Sequence, residues 1–298
     1  MTPSSFKDFP AHEWMRATPE CDNLSLREMT LPGTHNAGCD LEASYSSVFT
    51  RNWFACQDVP FYSQLNRGAR ALDVRLVYDA QARGLEKFRF VHNGAWSSRT
   101  LADLVRDIKA FLERSFNEFI ILDFHKLEHG NEKFDFGYFS DMMKEHLGEH
   151  IIPPENMNLT LGDLKAVSRP QRVLVTAPYN NSLDRNIFAS ETPHRWAGSD
   201  RTKIFEDTFS HSRLKLYIAE VLANPPGQRA PWSLSAAVYD AGGPVRMLKD
   251  LDEWFDPAKS DWAEKCSIIN FDFIKNSKIV YFCYLANLKK ASKKALQG

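Results

Sequence analysis

The 298-residue chain has no CxxC pair, no HExxH spacing, no internal repeat and no low-complexity linker. Each absence removes a class of protein. The five cysteines, Cys21, Cys39, Cys56, Cys266 and Cys283, are odd in number and widely spaced, which argues against a disulfide framework or a zinc knuckle and leaves them reduced or buried. There is no excess of either charge: 37 basic and 38 acidic side chains give a formal net charge of -1, so nucleic acid is not an expected partner. The opening stretch "MTPSSFKDFPAHEWMRATPE" lacks the apolar segment of a signal peptide. The longest apolar run, "IVYFCYLANL", is about half of what a membrane span requires. A soluble monomer is expected, cytoplasmic or exported by a non-classical route, with contact to a bilayer only from outside.

What is present is enough for a full core: 43% hydrophobic and 12% aromatic residues, with no composition break, so that one domain over 1–298 is the simplest organisation. Short β-rich runs recur: "LREMTLPG", "ARALDVRLV", "KFRFVHN", "FIILDFHK", "RVLVTAP", "LKLYIAEV" and "CSIINFDFI". Helical patterns lie between several of them, the clearest in "SSRTLADLVRDIKAFLERSFNE", where Leu101, Leu104, Val105, Ile108 and Leu112 recur at helical spacing. Others are "FGYFSDMMKEHLGEH", "LTLGDLKAV", "PVRMLKDLDEWF" and "KNSKIVYFCYLANLKK". Strand and helix in alternation predict a parallel α/β architecture. Two stretches without regular pattern, about 40–57 and about 178–212, suit the rim of a site.

Side chains two apart on a strand share a face. That rule joins Asp73 with Arg75, Asp123 with His125 and Asn270 with Asp272, one polar pair near the carboxyl end of each of three otherwise apolar strands. Buried parallel strands normally read as continuous apolar runs, and a desolvated charge is costly unless paired. Ion pairing within each strand and a shared wet cavity are both open explanations. In a β/α barrel those ends converge on the face that carries active sites. His92, after "FRFV", and His35, in "LPGTHNAG" between Gly33 and Gly38, would reach the same mouth; the glycines suit a tight corner presenting His35 outward. Two histidines, an arginine and orienting carboxylates supply an acid, a base and fixed positive charge, the requirements for cleaving a phosphodiester. Arg75 would repel a cation at the centre of this set. A zinc site at His92, His125 and Asp123 stays open as a rival.

These residues resemble the phosphatidylinositol-specific phospholipase C X-domain family, particularly its bacterial and X-domain-only branches. "LPGTHNAG" looks like the PGTHD/N-S-G segment, "RGARALDVRL" like the GxRxxDxR strand and "FVHNG" like the strand end bearing the second histidine. "EFIILDFHKLEHG" is similar to the EVVILDFxHF segment, and "IINFDFI" to the late strand that ends in a catalytic aspartate. The matches run in family order over about 25–275, leaving 276–298 as a C-terminal helix.

The resemblance implies a distorted, incomplete (β/α)8 barrel that cleaves phosphatidylinositol to diacylglycerol and inositol 1,2-cyclic phosphate. His35 would be the general base, oriented by Asp272. His92 would be the general acid, and Arg75 would stabilise the phosphoryl charge. Asn36, Asp73, Asp123 and His125 would bind substrate. Asn36 stands where bacterial members carry aspartate and matches calcium-dependent members, but Arg75 and His125 stand where those place acidic residues. No metal or cofactor is therefore expected. His125 falls where bacterial members carry a substrate-binding lysine. Trp53, Phe54 and Trp232, with Tyr239, look like the helix and rim loop with which bacterial enzymes touch membranes, burial in the core being the competing explanation. Trp196 is a further candidate for the rim. Two rivals remain: a metal-dependent glycerophosphodiesterase or sphingomyelinase D-like enzyme, which would carry HRG and ExD where this chain has "THN" and "DVR", and a barrel that binds inositol phospholipid without turnover.

Overall fold

The computed structural model describes residues 9–47, 51–196, 210–227, 229–240 and 242–297. Their strands are β1 (Leu31–Thr34), β2 (Ala71–Tyr78), β3 (Phe88–His92), β4 (Ala95–Thr100), β5 (Ile120–Glu128), β6 (Val173–Ala177), β7 (Ala189–Ser190), β8 (His194–Arg195), β9 (Ser233–Ala236), β10 (Tyr239–Asp240), β11 (Gly243–Pro244) and β12 (Ile268–Phe271). The main sheet runs in the order β7-β6-β5-β2-β1-β12-β9-β8 with every neighbouring pair parallel. It curls but does not close. Its two edges, β7 and β8, are two residues long each and do not pair with one another among the described residues. This is the distorted, incomplete barrel that the resemblance implied, built on the parallel α/β architecture that the strand pattern predicted.

Helices cover the sheet where their apolar stripes dictate. Helix Leu101–Arg114 buries Leu101, Leu104, Val105, Ile108, Phe111 and Leu112, and starts at a capping box in which the Thr100 amide donates to Asp103 Oδ2 at 3.0 Å. Each such side chain withdrawn from water contributes about 1.5–3 kcal/mol. The C-terminal helix spans Ile279–Ala295. A fully buried ion pair ties the entering chain to the barrel: Arg70 Nη2 meets Glu118 Oε2 at 2.6 Å, while Glu118 accepts from the amides of Met15 and Arg16.

Three expectations need correction. "LKLYIAEV" is a helix, His211–Ala223, with Leu214, Ile218 and Leu222 buried and Leu216 exposed. The alternation at 214, 216 and 218 imitates a strand, but only the four-residue period is buried. A strand was missed in "SLSA", β9, whose small residues carry little β signal yet are buried. The "FRFV" run is not a parallel barrel strand: β3 is antiparallel to β2 and folds onto β4 through Asn93 (φ 48°) and Gly94 (φ 77°), the Asn-Gly hairpin signature.

Candidate active site

The corner after β1 sets the first histidine. Gly33 is required by close approach, since a Cβ there would lie 2.6 Å from Ile268 Cγ2, and Gly38 because its Cβ would fall within 2.0 Å of the Phe90 ring. Neither glycine takes positive φ; Asn36 does, at 45°. The corner turns His35 inward rather than outward, leaving the residue 5% exposed. Its Nδ1 meets Asp272 Oδ1 at 2.8 Å, and Asp272 directly follows β12, the parallel neighbour of β1. Gln57 locks the two strand ends by donating to the carbonyls of His35 and Phe271 at 2.9 and 3.0 Å.

His92, at the end of β3, faces His35 edge-on with ring centroids 6.3 Å apart. Its Nδ1 lies 2.8 Å from the Phe54 carbonyl, which can only accept, so Nδ1 carries the proton and Nε2 is the free base. Nε2 receives the Tyr239 hydroxyl at 3.0 Å, and the Cys56 sulfur stands 3.2 Å from that hydroxyl. Burial, then the proximity of His35, lowers His92 to about 3, so the imidazole is neutral.

Asp73 is the hub. Both its oxygens accept from Arg75, Nε at 3.2 Å and Nη2 at 2.9 Å; the Asn36 amide donates to Oδ2 at 3.1 Å, and Asn270 Nδ2 reaches it at 3.4 Å. His125 Nδ1 is 3.6 Å from Oδ1 and His35 Nε2 is 4.0 Å from Oδ2. Burial raises the Asp73 pKa, but Arg75 and then the two histidines outweigh it and hold the carboxyl well below its ordinary range. Asp123 belongs to a second cluster: His194 Nε2 meets its Oδ2 at 2.7 Å, and His125 packs on His194 with centroids 3.7 Å apart. Burial, helped by His194 and Arg75, outweighs the opposing pull of Asp73 and lowers His125 to about 3, whereas in His194 the bond to Asp123 overcomes burial and raises the pKa. A cavity of about 260 Å³ opens here, lined by Asp123, His125, Glu191, Thr192, Pro193 and His194, where the chain crosses between the sheet edges.

The site thus brings together His35, Asn36, Asp73, Arg75, His92, Asp123, His125, Asn270 and Asp272. Asn36 Oδ1 and Nδ2, His125 Nδ1, Asn270 Oδ1 and Asp272 Oδ2 are buried and make no hydrogen bond among the described residues. Polar atoms of this kind are normally satisfied, so their concentration at one mouth marks a place for a polar ligand. His92, His125 and Asp123 do not form a metal-ligating set. Among the described residues, His35, Cys56 and Asp272 do have donor atoms within 4.8 Å of one another. Burial, then Asp272, drives the Cys56 thiol well above its ordinary pKa against the opposing pull of Arg75, and that guanidinium would itself repel a cation, so this set suits a cation poorly.

Two residues assigned to the membrane face must be withdrawn. Phe54 is 5% exposed and packs against Tyr45 and His92; Trp232 is 3% exposed at the opposite end of the sheet. Trp53, at 40%, and Trp196, at 43%, are exposed. Tyr239 lies in the site rather than at a membrane rim. His194 and Cys56 were not singled out. Each sat in an irregular stretch, and the only signal for them was that such stretches border sites.

Comparison with known proteins fits this geometry. No family model matches the chain. It is 24% identical over 163 residues to "PI-PLC X domain-containing protein 3" of Bos taurus and of Homo sapiens, covering 47% of this chain and 50% of each relative. The chain therefore spans about half the length of the curated relatives it matches. A "Variant-surface-glycoprotein phospholipase C" of Trypanosoma cruzi is 33% identical over 104 residues, 34% of this chain and 26% of that protein. Among solved structures, a mutant of the phosphatidylinositol-specific phospholipase C from Staphylococcus aureus superposes with TM-score 0.70 at 15% identity, and the Listeria monocytogenes enzyme with 0.68 at 16%; each covers 93% of this chain and 98% of that one. The fold is that of the phosphatidylinositol-specific phospholipases C. Beyond the fold, what the chain shares with the PI-PLC X domain-containing relatives is sequence likeness over about half its length.

Proposed function

We propose that this chain is a metal-independent phosphatidylinositol phospholipase C. The observation that carries the proposal is two buried imidazoles set edge to face, 6.3 Å apart, with the Arg75–Asp73 pair beside them. In the reading we adopt, Asp272 holds His35 so that its Nε2 takes the proton from the inositol 2-hydroxyl. That oxygen attacks phosphorus and closes the five-membered ring. Arg75 stabilises the phosphoryl oxygens, and His92 Nε2 delivers a proton to the departing diacylglycerol oxygen. A phosphodiester anion lying against His92 supplies the counter-charge that favours its protonated form. Asn36, Asp73, Asp123 and His125 orient the inositol hydroxyls. The entire chain 1–298 acts as one monomeric domain and meets the bilayer through Trp53 and Trp196, with neither nucleic acid nor cofactor.

Incubation with phosphatidylinositol vesicles and EDTA, followed by phosphorus NMR, tests this reading. Inositol 1,2-cyclic phosphate is the expected product. Activity that disappears with EDTA and returns with Mg²⁺ or Ca²⁺ would favour a metal-dependent phosphodiesterase. One observation favours a binder without turnover: the Tyr239 hydroxyl occupies His92 Nε2, and Asn36 offers no carboxylate in its place. Saturable vesicle binding without product would select that second reading.

A further inference from the structure

The proposed catalytic mouth lies at the carboxyl ends of the strands, but a cation-lined cavity lies at the other end. It has a volume of about 400 Å³ and is bordered by Trp232 and Ser267, which immediately precede β9 and β12. Five cations, Arg27, Lys265, Lys289, Lys290 and Lys293, line it against two carboxylates, Asp261 and Glu264. Three of the cations are accounted for: Lys265 pairs with Asp261, and Lys289 and Lys293 both pair with Glu264.

The other two are not. Lys290 Nζ donates to neutral acceptors, Thr30 Oγ1 at 2.8 Å and the Cys266 carbonyl at 3.0 Å, which leaves one of its three N–H bonds unused. Arg27 forms no hydrogen bond or ion pair among the described residues, and its Nε is buried without a partner. Burial lowers Lys290 to about 8 despite Glu264 and Glu28, whose carboxylates are ion-paired to other lysines. The Cys266 thiol is pushed by burial to about 12 and supplies no negative charge. Two cations without counter-charges that share one cavity call for about two negative charges from outside the chain.

We propose that this cavity binds a small phosphate-bearing dianion, with Arg27 and Lys290 as its principal ligands. Arginine supplies a planar fork and lysine a point charge, the pair best suited to phosphate oxygens. The site is independent of the catalytic reading, since it lies at the opposite ends of the strands.

Isothermal titration with inorganic phosphate and with pyrophosphate, at about 0.15 M salt to suppress non-specific attraction, is paired with hydrogen–deuterium exchange and with sedimentation of phosphatidic-acid vesicles. Saturable binding is expected, with protection at 261–267 and 289–293 rather than at 33–40 or 71–78. Lys290→Met and Arg27→Gln should each weaken it by about tenfold or more. Arg27→Gln keeps the test valid if loss of the Lys290 bonds harms folding. Lys290-dependent binding of the free anions assigns the phosphate to a soluble ligand, and Lys290-dependent binding of vesicles alone assigns it to a lipid headgroup; either upholds the site. Binding that neither substitution weakens, protection confined to the mouth, or no binding in any arm would overturn it.

Discussion

Tyr239 shows what one hydroxyl does at this site. His92 is already oriented through Nδ1 by the Phe54 carbonyl, so on the proposed mechanism the Tyr239 contact at Nε2 would compete with the leaving oxygen more than it positions the ring. Tyr239→Phe is therefore expected to raise kcat/KM about fivefold, the equivalent of one ordinary hydrogen bond; a fall would instead make the hydroxyl a helper of His92. The buried histidines also bear on stability. His92 and His125 stay neutral in the folded chain down to about 3 but take up protons near 6.5 when unfolded. The unfolded state therefore binds more protons between those values, and stability falls as pH drops through that window. The slope is about 1.4 kcal/mol per pH unit for each histidine. Urea unfolding of His125→Gln at pH 5 and 6.5 should show about one proton less of this dependence, and an unchanged slope would refute the assignment.

Elements carry these residues to one place. Strand ends were legible where chemistry interrupts an apolar run: "ALDVRL", "ILDFHK" and "IINFDF" each pointed to a residue of the candidate site because charge is costly in a buried parallel strand. Helices with a clean buried stripe, such as Leu101–Arg114, were equally legible. Short elements were not. β10 and β11 are two residues each and place Tyr239, yet "AAVYDAGG" reads only as a turn. Nor does local spacing reveal the partner of Asp123, His194, which lies 71 positions further along the chain. The hairpin's seat yields a test. Gly243 has φ 108°, and a Cβ there would lie 2.5 Å from the Asn52 carbonyl oxygen. Gly243→Ala should cost about 1–3 kcal/mol and lift the hairpin, shifting kcat/KM in the same direction as Tyr239→Phe. An unchanged melting temperature together with unchanged kinetics would count against the hairpin as the carrier of Tyr239.

At the scale of the molecule, the order of motifs foretold the barrel better than any single element did, since parallel strands with polar carboxyl ends have few architectures open to them. What local spacing could not reveal was which bulky side chains face inward. Phe54 and Trp232 are aromatic in polar surroundings and nevertheless belong to the interior. Among the described residues no helix is long and apolar enough to cross a membrane. The Arg70–Glu118 pair holds the entering segment against the barrel with both side chains fully buried. Glu118→Gln leaves the guanidinium uncompensated and should destabilise the fold by about 3–5 kcal/mol in chemical denaturation; joint replacement by Met and Leu should recover much of that. A loss below about 1 kcal/mol would show the pair to be dispensable.

Division of labour between the two imidazoles is most directly tested by comparing leaving groups. Initial rates would be measured for His35→Ala and His92→Ala on phosphatidylinositol and on a nitrophenyl ester of inositol phosphate, whose leaving group departs without a proton. His35→Ala should lose about 10²–10⁴-fold on both substrates, whereas His92→Ala should lose that much on the lipid and regain most of its rate on the nitrophenyl ester. Equal losses on both substrates for His92→Ala, or near-native rates for either variant on the lipid, would contradict one acid and one base acting on a single phosphate.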